Sequence, residues 1–365
     1  TLRGFTGKDK DNPKISQIAQ NFPVKIYVIC GCLPPGTGEP VLLITGDIFA
    51  PERIQAASDR IPFHYFAKTG RHMLHIYTYI VSQKTHEFII KTYPIRGIIP
   101  FLARVIARFR RKKFLLVFGM SRSGTSMLSQ FLSLNSSVYY LHEPDSELFK
   151  YRYDVPGPFS QEAFWKFINS DEQKEFKVHM MACIILLSAL HSHRSIQTFC
   201  LKPITMLNVM PEISKVLMDA RIIYICRHPA GRSESILRQL KHDQNITKLS
   251  NDKIKELGYD WGSTNKKVLG WFKMHPDWRW VSFEKLVSQP VAEFKQLYEK
   301  LGLAWDETIQ REIEQKTTGT DGGFYEVQRD ASKQADKWRE SLTVEQVEAI
   351  RRGSLPFKTN LYEGF

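Results

Sequence analysis

The residues best suited to chemistry lie in Met120–Ser126, between the apolar run FLLVFG and the helix-like run MLSQFLSL. A tight turn from a strand into a helix aims backbone N–H groups and the helix dipole at an anion. Gly119 and Gly124 have the G-x-x-x-x-G spacing of a nucleotide-binding loop, but Thr125 stands where lysine is expected. The cation lies inside the loop instead, at Arg122. The segment therefore predicts a site for a phosphate-like group other than the γ-phosphate of ATP.

Several groups of this loop can contact such an anion. The Arg122 guanidinium can donate two parallel hydrogen bonds to it. Ser123, Thr125 and Ser126 offer hydroxyls beside their backbone N–H groups. The structural alternative is an ordinary helix whose N-cap is Ser123 or Thr125.

A second pair of polar residues follows the apolar strand predicted at Arg221–Cys226. Arg227 stands at the carboxyl end of this strand, and Ser235 lies about two turns into the helix that Pro229 begins. An arginine and a hydroxyl so placed can clamp a second phosphate, away from the first loop. The alternative is a surface arginine and a solvated serine.

Predicted strands and helices alternate from residue 114 onward, which indicates an α/β fold. Apolar strands such as RIIYIC are typical of a parallel sheet covered on both faces, with ligands at the carboxyl ends of its strands. We predict such a domain at 108–365, with a central parallel sheet flanked by helices. Residues 1–107 form an α+β N-terminal extension with strands near Val24–Cys32 and Pro40–Ile48; covering a substrate site is one role open to it.

The segment Ile95–Arg111 is apolar, with Arg104, Arg108 and Arg111 on one helical face. Three interpretations are open for it. It packs on the core as an amphipathic helix, lies on an anionic membrane as a peripheral contact, or lines a substrate cleft.

The composition is that of a soluble globular protein with excess positive charge. The net charge of +13 and the pI of about 9.4 favour polyanionic ligands. The cysteines show no zinc-site spacing, and Cys183, Cys200 and Cys226 lie in apolar runs that predict buried, reduced thiols. No run of membrane-spanning length is visible, so we predict no transmembrane segment. A cytoplasmic location is favoured; the alternative is a lumenal domain whose anchor was removed.

Taken together, three patterns resemble one enzyme family. They are R-S-G-T-S after a strand, E-P after the next strand, and R-x-P with a serine eight residues after the arginine. In this order they are similar to the sulfotransferases that use 3′-phosphoadenosine 5′-phosphosulfate. The resemblance covers about residues 114–355 and is closer to the carbohydrate and protein-tyrosine branch than to the small-phenol branch. It implies a P-loop-like α/β fold and no metal.

The resemblance also implies roles for residues of this chain. The first loop would hold the 5′-phosphosulfate through Arg122, Ser123, Gly124, Thr125 and Ser126. The 3′-phosphate would be held by Arg227 and Ser235, and the nucleotide would be met by Lys333 or, as second choice, Arg329. His228 departs from the acidic or amide residue that is usual after this arginine.

Sulfonyl transfer needs a base for the acceptor hydroxyl, and a positioned carboxylate or imidazole serves this need. Glu143, in the E-P pattern, is the predicted base, and His142 is its neighbouring competitor. Asp145 and Glu147 are the remaining candidates. Lys202 is expected near the sulfonate, and Tyr140 is one of several aromatic residues able to line an acceptor site. The predicted acceptor is a hydroxyl of a small molecule or glycan, with an amine as second choice.

Two other functions compete with this interpretation. A P-loop kinase requires lysine after Gly124 and a Mg²⁺-holding carboxylate, and Thr125 argues against it. A nucleic-acid-binding protein would use the net charge and the cluster at 108–113, but that cluster is short and precedes a core strand. We therefore predict no nucleic-acid partner.

Overall fold

The computed structural model describes residues 25–28, 42–45, 80, 83–146, 148, 170–217, 220–244, 249–318 and 334–365. The chain divides into two compact units, Thr1–Tyr65 and Phe66–Phe365. The boundary between these two units falls earlier in the chain than the domain boundary predicted at 107/108. In the first unit, strands β1 (Lys25–Val28) and β2 (Leu42–Thr45) pair antiparallel, inside the two strands predicted there.

The second unit alternates strands and helices. Its strands are β3 (Lys113–Gly119), β4 (Val138–His142), β5 (Thr198–Lys202), β6 (Arg221–Cys226) and β7 (Arg279–Ser282). Its helices are α1 (Gln83–Thr92), α2 (Ile99–Phe109), α3 (Thr125–Leu132), α4 (Lys174–His191), α5 (Met210–Val216), α6 (Pro229–Gln244), α7 (Asn251–Met274), α8 (Phe283–Ser288), α9 (Pro290–Leu301), α10 (Glu307–Thr318), α11 (Lys337–Ser341) and α12 (Val344–Ser354). Short 3-10 turns occur at Tyr93–Ile95, Asp171–Gln173, Leu207–Val209 and Leu355–Phe357.

The five strands of the second unit form one parallel sheet in the order β4-β5-β3-β6-β7. The predicted central parallel sheet is thus confirmed, with β3 and β6 within one residue of their predicted bounds. Successive residues 114–118 of β3 are all buried, so helices must cover both faces. Because β5 and β6 lie on opposite sides of β3, the strand order reverses there, which is where open α/β sheets bind ligands.

One face of helix α2 packs on the core, as the first of the three interpretations of Ile95–Arg111 predicted. Ile99, Ala103, Ile106 and Ala107 are buried, and the helix packs on α4. No helix in the described part of the chain combines the length and apolar character needed to cross a bilayer. Cys183, Cys200 and Cys226 are buried free thiols, as predicted.

Helix α7 was not predicted, although it is the longest helix described. Its sequence is polar and contains Gly258, Gly262 and Gly270, which lower helix propensity. The structure explains two of them by close packing, since a Cβ on Gly262 would lie 2.4 Å from Phe357 Cδ2 and 3.0 Å from the Ser354 carbonyl oxygen of α12. A Cβ on Gly258 would overlap the carbonyl oxygen of Ile350.

Candidate active site

The predicted anion loop turns directly from β3 into α3 and is pressed against its neighbours. A Cβ on Gly119 would come 2.8 Å from the carbonyl oxygen of Ile225, and a Cβ on Gly124 would come 2.5 Å from Phe283 Cδ2. Gly124 has a φ of +93°, and Arg122 has a φ of +66°. The glycine spacing therefore reflects close approach of the loop to the sheet. The backbone of Arg122 is strained, and such strain clusters at functional sites.

Helix α3 begins without a side-chain cap. Its N-cap is Gly124, and no side-chain hydrogen bond caps the helix, so the alternative of Ser123 or Thr125 as cap is wrong. The first N–H groups of a helix have no partner within the helix and carry the positive end of its dipole. These groups are the donors that a phosphate would use at the predicted loop.

Lys202 joins this loop to Glu143. The Lys202 ammonium donates to Ser126 Oγ at 2.9 Å and contacts the Glu143 carboxylate. The side chain of Lys202 is only 5% exposed, whereas that of Glu143 is 27% exposed. Strand register produces the contact, because His142 at the end of β4 is the partner of Lys202 at the end of β5. An ammonium placed in this way can stabilise negative charge at the loop and orient the carboxylate.

The predicted base Glu143 and its competitor lie side by side. Glu143 has a φ of +46°, so its backbone is also strained. His142 Nε2 lies 3.8 Å from Glu143 Oε1, and its ring meets that of Tyr140 edge-on at 5.6 Å. The structure thus brings Glu143, His142, Lys202 and Tyr140 together at one sheet edge.

Asp145 holds the loop that follows β5. Its Oδ2 accepts from the N–H groups of Ile204 at 3.0 Å and Thr205 at 2.7 Å, and from the Thr205 hydroxyl at 2.6 Å. The buried ammonium of Lys177 contacts the Thr205 carbonyl and donates to Asn208 Oδ1 at 2.7 Å. Burial raises the pKa of Asp145 and lowers that of Lys177 to about 8. Because Asp145 is fully buried, it acts by positioning the backbone.

Arg227 and Ser235 meet at Arg122. Ser235 Oγ accepts from Arg122 Nε at 3.0 Å, and Arg227 Nη1 donates to the Arg122 carbonyl at 3.2 Å. The Arg227 guanidinium also donates to the Gln334 carbonyl at 3.1 Å and stacks 4.3 Å from the Phe283 ring. Arg227 and Ser235 are buried, so the alternative of a surface arginine and a solvated serine is wrong. The two predicted anion positions adjoin at Arg122 rather than lying far apart.

These residues fit a nucleotide that carries two phosphate groups. Arg227 Nε is buried and has no hydrogen-bond partner among the described residues. Burial lowers the pKa of Arg227 to about 10. A buried cation with an unused donor is costly unless an anion pairs with it. One phosphate would satisfy Arg227, and a second would be held by the N–H groups at the start of α3.

Two anchoring residues of the site were missed by sequence reasoning. Arg232 in α6 donates to the Ser121 carbonyl at 3.2 Å and to Asp260 Oδ2 at 2.8 Å, so it holds the start of the loop. Glu284 accepts from the His228 N–H at 2.8 Å and holds the end of β6. Asp260 lies on the unpredicted α7, so the sequence offered no signal for the ion pair between Arg232 and Asp260.

Three predicted residues lie outside the described residues: Lys333, Arg329 and Glu147. Trp338 in α11 stacks on His228 with 4.7 Å between ring centroids and 7° between planes.

Comparison with known proteins gives a family. A sequence profile described as the sulfotransferase family matches residues 115–307, more than half of the chain. None of the curated proteins compared with the chain matches it.

Several solved structures are similar at low identity. Sulfotransferase STF9 from Mycobacterium avium is 13% identical with a TM-score of 0.47, over 79% of this chain and 84% of that one. Mouse sulfotransferase SULT7A1, complexed with PAP, is 14% identical with a TM-score of 0.43, over 68% and 85%. Retinol dehydratase in a complex with retinol and PAP is 16% identical with a TM-score of 0.42, over 68% and 82%. These similarities are too distant to assign a substrate.

Proposed function

The chain belongs to the sulfotransferase family, and we propose that it transfers the sulfonyl group of 3′-phosphoadenosine 5′-phosphosulfate to an acceptor hydroxyl. One observation carries this proposal. The Lys202 ammonium contacts Ser126 of the anion loop and the Glu143 carboxylate together. It couples a position for the donor phosphate to a group able to take a proton.

Donor binding is divided between the two adjoining anion positions. The N–H groups at the start of α3, with Arg122, Thr125 and Ser126, hold the 5′-phosphosulfate. Arg227 and Ser235 hold the 3′-phosphate. The contact of Arg122 with Ser235 at 3.0 Å supports this division. Through it, the Arg122 side chain can reach both the 5′-phosphosulfate and the 3′-phosphate.

The bound donor supplies an electrophilic sulfonyl group and a phosphate leaving group. Glu143 takes the proton of the acceptor hydroxyl as the new S–O bond forms. Lys202 and Arg122 stabilise the negative charge that grows on the leaving phosphate as the old S–O bond breaks. His142 borders the acceptor side and is the second choice for the base.

The proposed acceptor class is a small molecule or carbohydrate with a free hydroxyl; an amine is the second choice. Tyr140 and His142 place aromatic rings next to Glu143, and such rings suit the apolar face of a sugar or a polycyclic compound. The R-S-G-T-S loop favours the carbohydrate and protein-tyrosine branch of the family.

Transfer of label from sulfur-labelled donor tests the proposal. The protein is incubated with the donor and with separate pools of glycans, sterols, phenols and amines, without added Mg²⁺. We expect label in one pool, and transfer at least about a hundredfold slower with Glu143→Gln. If labelled ATP but not the sulfonyl donor modified a pool, and only with Mg²⁺, the proposal would be overturned in favour of a kinase.

A further inference from the structure

Helix α2 is apolar on two opposite faces. Its inner face, with Ala103 and Ile106, packs on α4. Its outer face exposes four large apolar side chains, which we call the α2 outer stripe: Ile98 (47% exposed), Phe101 (60%), Val105 (43%) and Phe109 (51%). Spacings of three and four residues place them in one line along the helix. Contiguous apolar surface of this kind usually marks an interaction site.

The chain around the α2 outer stripe is strongly basic. The sequence has no aspartate or glutamate between Phe88 and His142, while lysine or arginine stands at 91, 96, 104, 108 and 110–113. Some of these charges are engaged, since Arg96 pairs with Glu175 at 2.8 Å. The residues at 108, 110, 111 and 113 are exposed. Arg108 follows Val105 by three residues and therefore lies on the same side of the helix.

We propose that the α2 outer stripe docks on an anionic membrane surface, with its phenylalanines among the acyl chains and the exposed basic residues at 108, 110, 111 and 113 against lipid phosphates. Interfacial helices combine aromatic and aliphatic residues on one side with flanking lysine and arginine, as here. An anionic leaflet attracts such basic clusters. The helix would lie in the plane of the membrane without crossing it.

Charge complementarity favours an anionic membrane over a second copy of the chain or the preceding segment as the partner of the α2 outer stripe. A second copy of the chain would bring the same basic cluster against itself. The preceding segment 46–79 has four basic and three acidic residues, so it offers no negative complement. An anionic bilayer offers an apolar layer and negative charge together. The proposal does not depend on the reaction that the protein catalyses.

Vesicle flotation with the full chain tests the proposal. Vesicles of phosphatidylcholine alone are compared with vesicles containing about one-third phosphatidylserine, at about 0.1 M salt. The variant F101S/F109S removes the apolar contact. Its matched control, M274S/V344S, removes apolar side chains that are 66% and 81% exposed elsewhere. The charge variant is Arg108→Glu, with Arg352→Glu on α12 as control.

We expect wild-type protein to float only with the anionic vesicles. F101S/F109S should bind at least about tenfold more weakly, and Arg108→Glu at least about fivefold more weakly, while both controls bind as wild type. Circular dichroism checks that every variant is folded. Absence of wild-type binding, or unchanged binding by F101S/F109S, would overturn the proposal. So would a wild-type dimer in sedimentation that F101S/F109S converts to monomer, because the occupant would then be a second copy.

Discussion

At the residue scale, two of the residues to which we assign the proposed chemistry have a strained backbone. Arg122 and Glu143 both have positive φ, in the region that favours glycine. Such conformations cost about 1–3 kcal/mol each and persist only where the surroundings enforce them. The hydrogen bonds of Arg122 with Arg227 and Ser235 help to hold the first. The contact between Lys202 and the Glu143 carboxylate helps to hold the second.

Glu143→Gln should lower kcat by about 10²- to 10⁴-fold, because the amide cannot accept the acceptor proton. The affinity for adenosine 3′,5′-bisphosphate should stay near wild type, since the amide keeps the shape of the site. Steady-state kinetics and titration calorimetry measure the two quantities. His142→Gln is the control and should keep most of the activity; the opposite ranking of the two variants would make His142 the base.

Ser235→Ala should weaken binding of adenosine 3′,5′-bisphosphate by about tenfold, the value of one hydrogen bond to a charged group. The same change frees Arg122 Nε from its contact at 3.0 Å. Binding of adenosine 5′-phosphate, which lacks the 3′ group, should change much less. Calorimetry with both nucleotides measures the effect. An equal loss for both would remove Ser235 from the 3′-phosphate position.

At the element scale, strand order places the site. β4 and β5 are neighbours in register, so the residues that follow β4 reach Lys202. β3 and β6 are neighbours as well, which sets the anion loop beside Arg227. Two loops and a helix start therefore converge only because the strands are parallel and end at the same edge. This convergence is the reason that residues far apart in sequence act together.

The helix pair α7 and α12 gives a prediction for Gly258→Ala. The added methyl group would overlap the Ile350 carbonyl, and backbone cannot rotate away as a side chain can. We expect a loss of about 2 kcal/mol or more in the free energy of unfolding. Gly270→Ala in the same helix is the matched control, because nothing lies within 4 Å of its Cβ position.

Chemical denaturation compares the two variants. Gly270→Ala should be neutral or more stable by about 0.5–1 kcal/mol, because alanine favours helix. If Gly258→Ala were equally well tolerated, the close packing of α7 on α12 would be contradicted.

The sequence was enough to predict the parallel sheet and the placement of Arg122, Glu143 and Arg227 just after strand ends. A short, near-continuous apolar run rich in β-branched residues, such as RIIYIC, favours a covered strand, and turn residues mark its end. The sequence was not enough to predict helix α7, because polar residues and glycines obscure its helical periodicity. It also could not predict the contact of Lys202 with Glu143 or that of Arg122 with Ser235. Those contacts depend on strand register and on side-chain direction, which no local pattern encodes.

At the scale of the whole molecule, aromatic residues near the C-terminus pack around His228, which follows Arg227 at the end of β6. Trp338 stacks on His228, and the rings of Tyr362 and Phe365 meet it edge-on at 4.9 Å and 4.7 Å. His228 Nδ1 accepts from the Ala230 N–H at 3.2 Å, so the imidazole must be neutral there. Burial, with smaller effects from nearby charges, lowers the pKa of His228 to about 4.

This shift predicts a loss of stability in mild acid. The pKa of His228 is about 4 in the folded state, against an ordinary value of 6.5, so the neutral form of His228 favours the fold above pH 6.5. That contribution is lost as the pH falls from 6.5 towards 4. The loss in the free energy of unfolding is about 2 kcal/mol near pH 5. His228→Asn cannot titrate, so its stability should fall less steeply over this range.

Denaturation of both proteins across the pH range measures the difference in slope. An NMR titration of the His228 ring checks the pKa directly, whatever the stability of the variant. A ring that titrated near its ordinary value would contradict the packing of the C-terminal residues around neutral His228.

The most direct measurement of the central claim compares two nucleotides by calorimetry without metal. If one molecule bridges Arg227 and the start of α3, adenosine 3′,5′-bisphosphate should bind at least about a hundredfold more tightly than adenosine 5′-phosphate, from the charge-assisted hydrogen bonds to its additional group. Arg227→Met should abolish the preference while the protein stays folded. Equal affinity for the two nucleotides, or binding that appears only with Mg²⁺, would contradict the account.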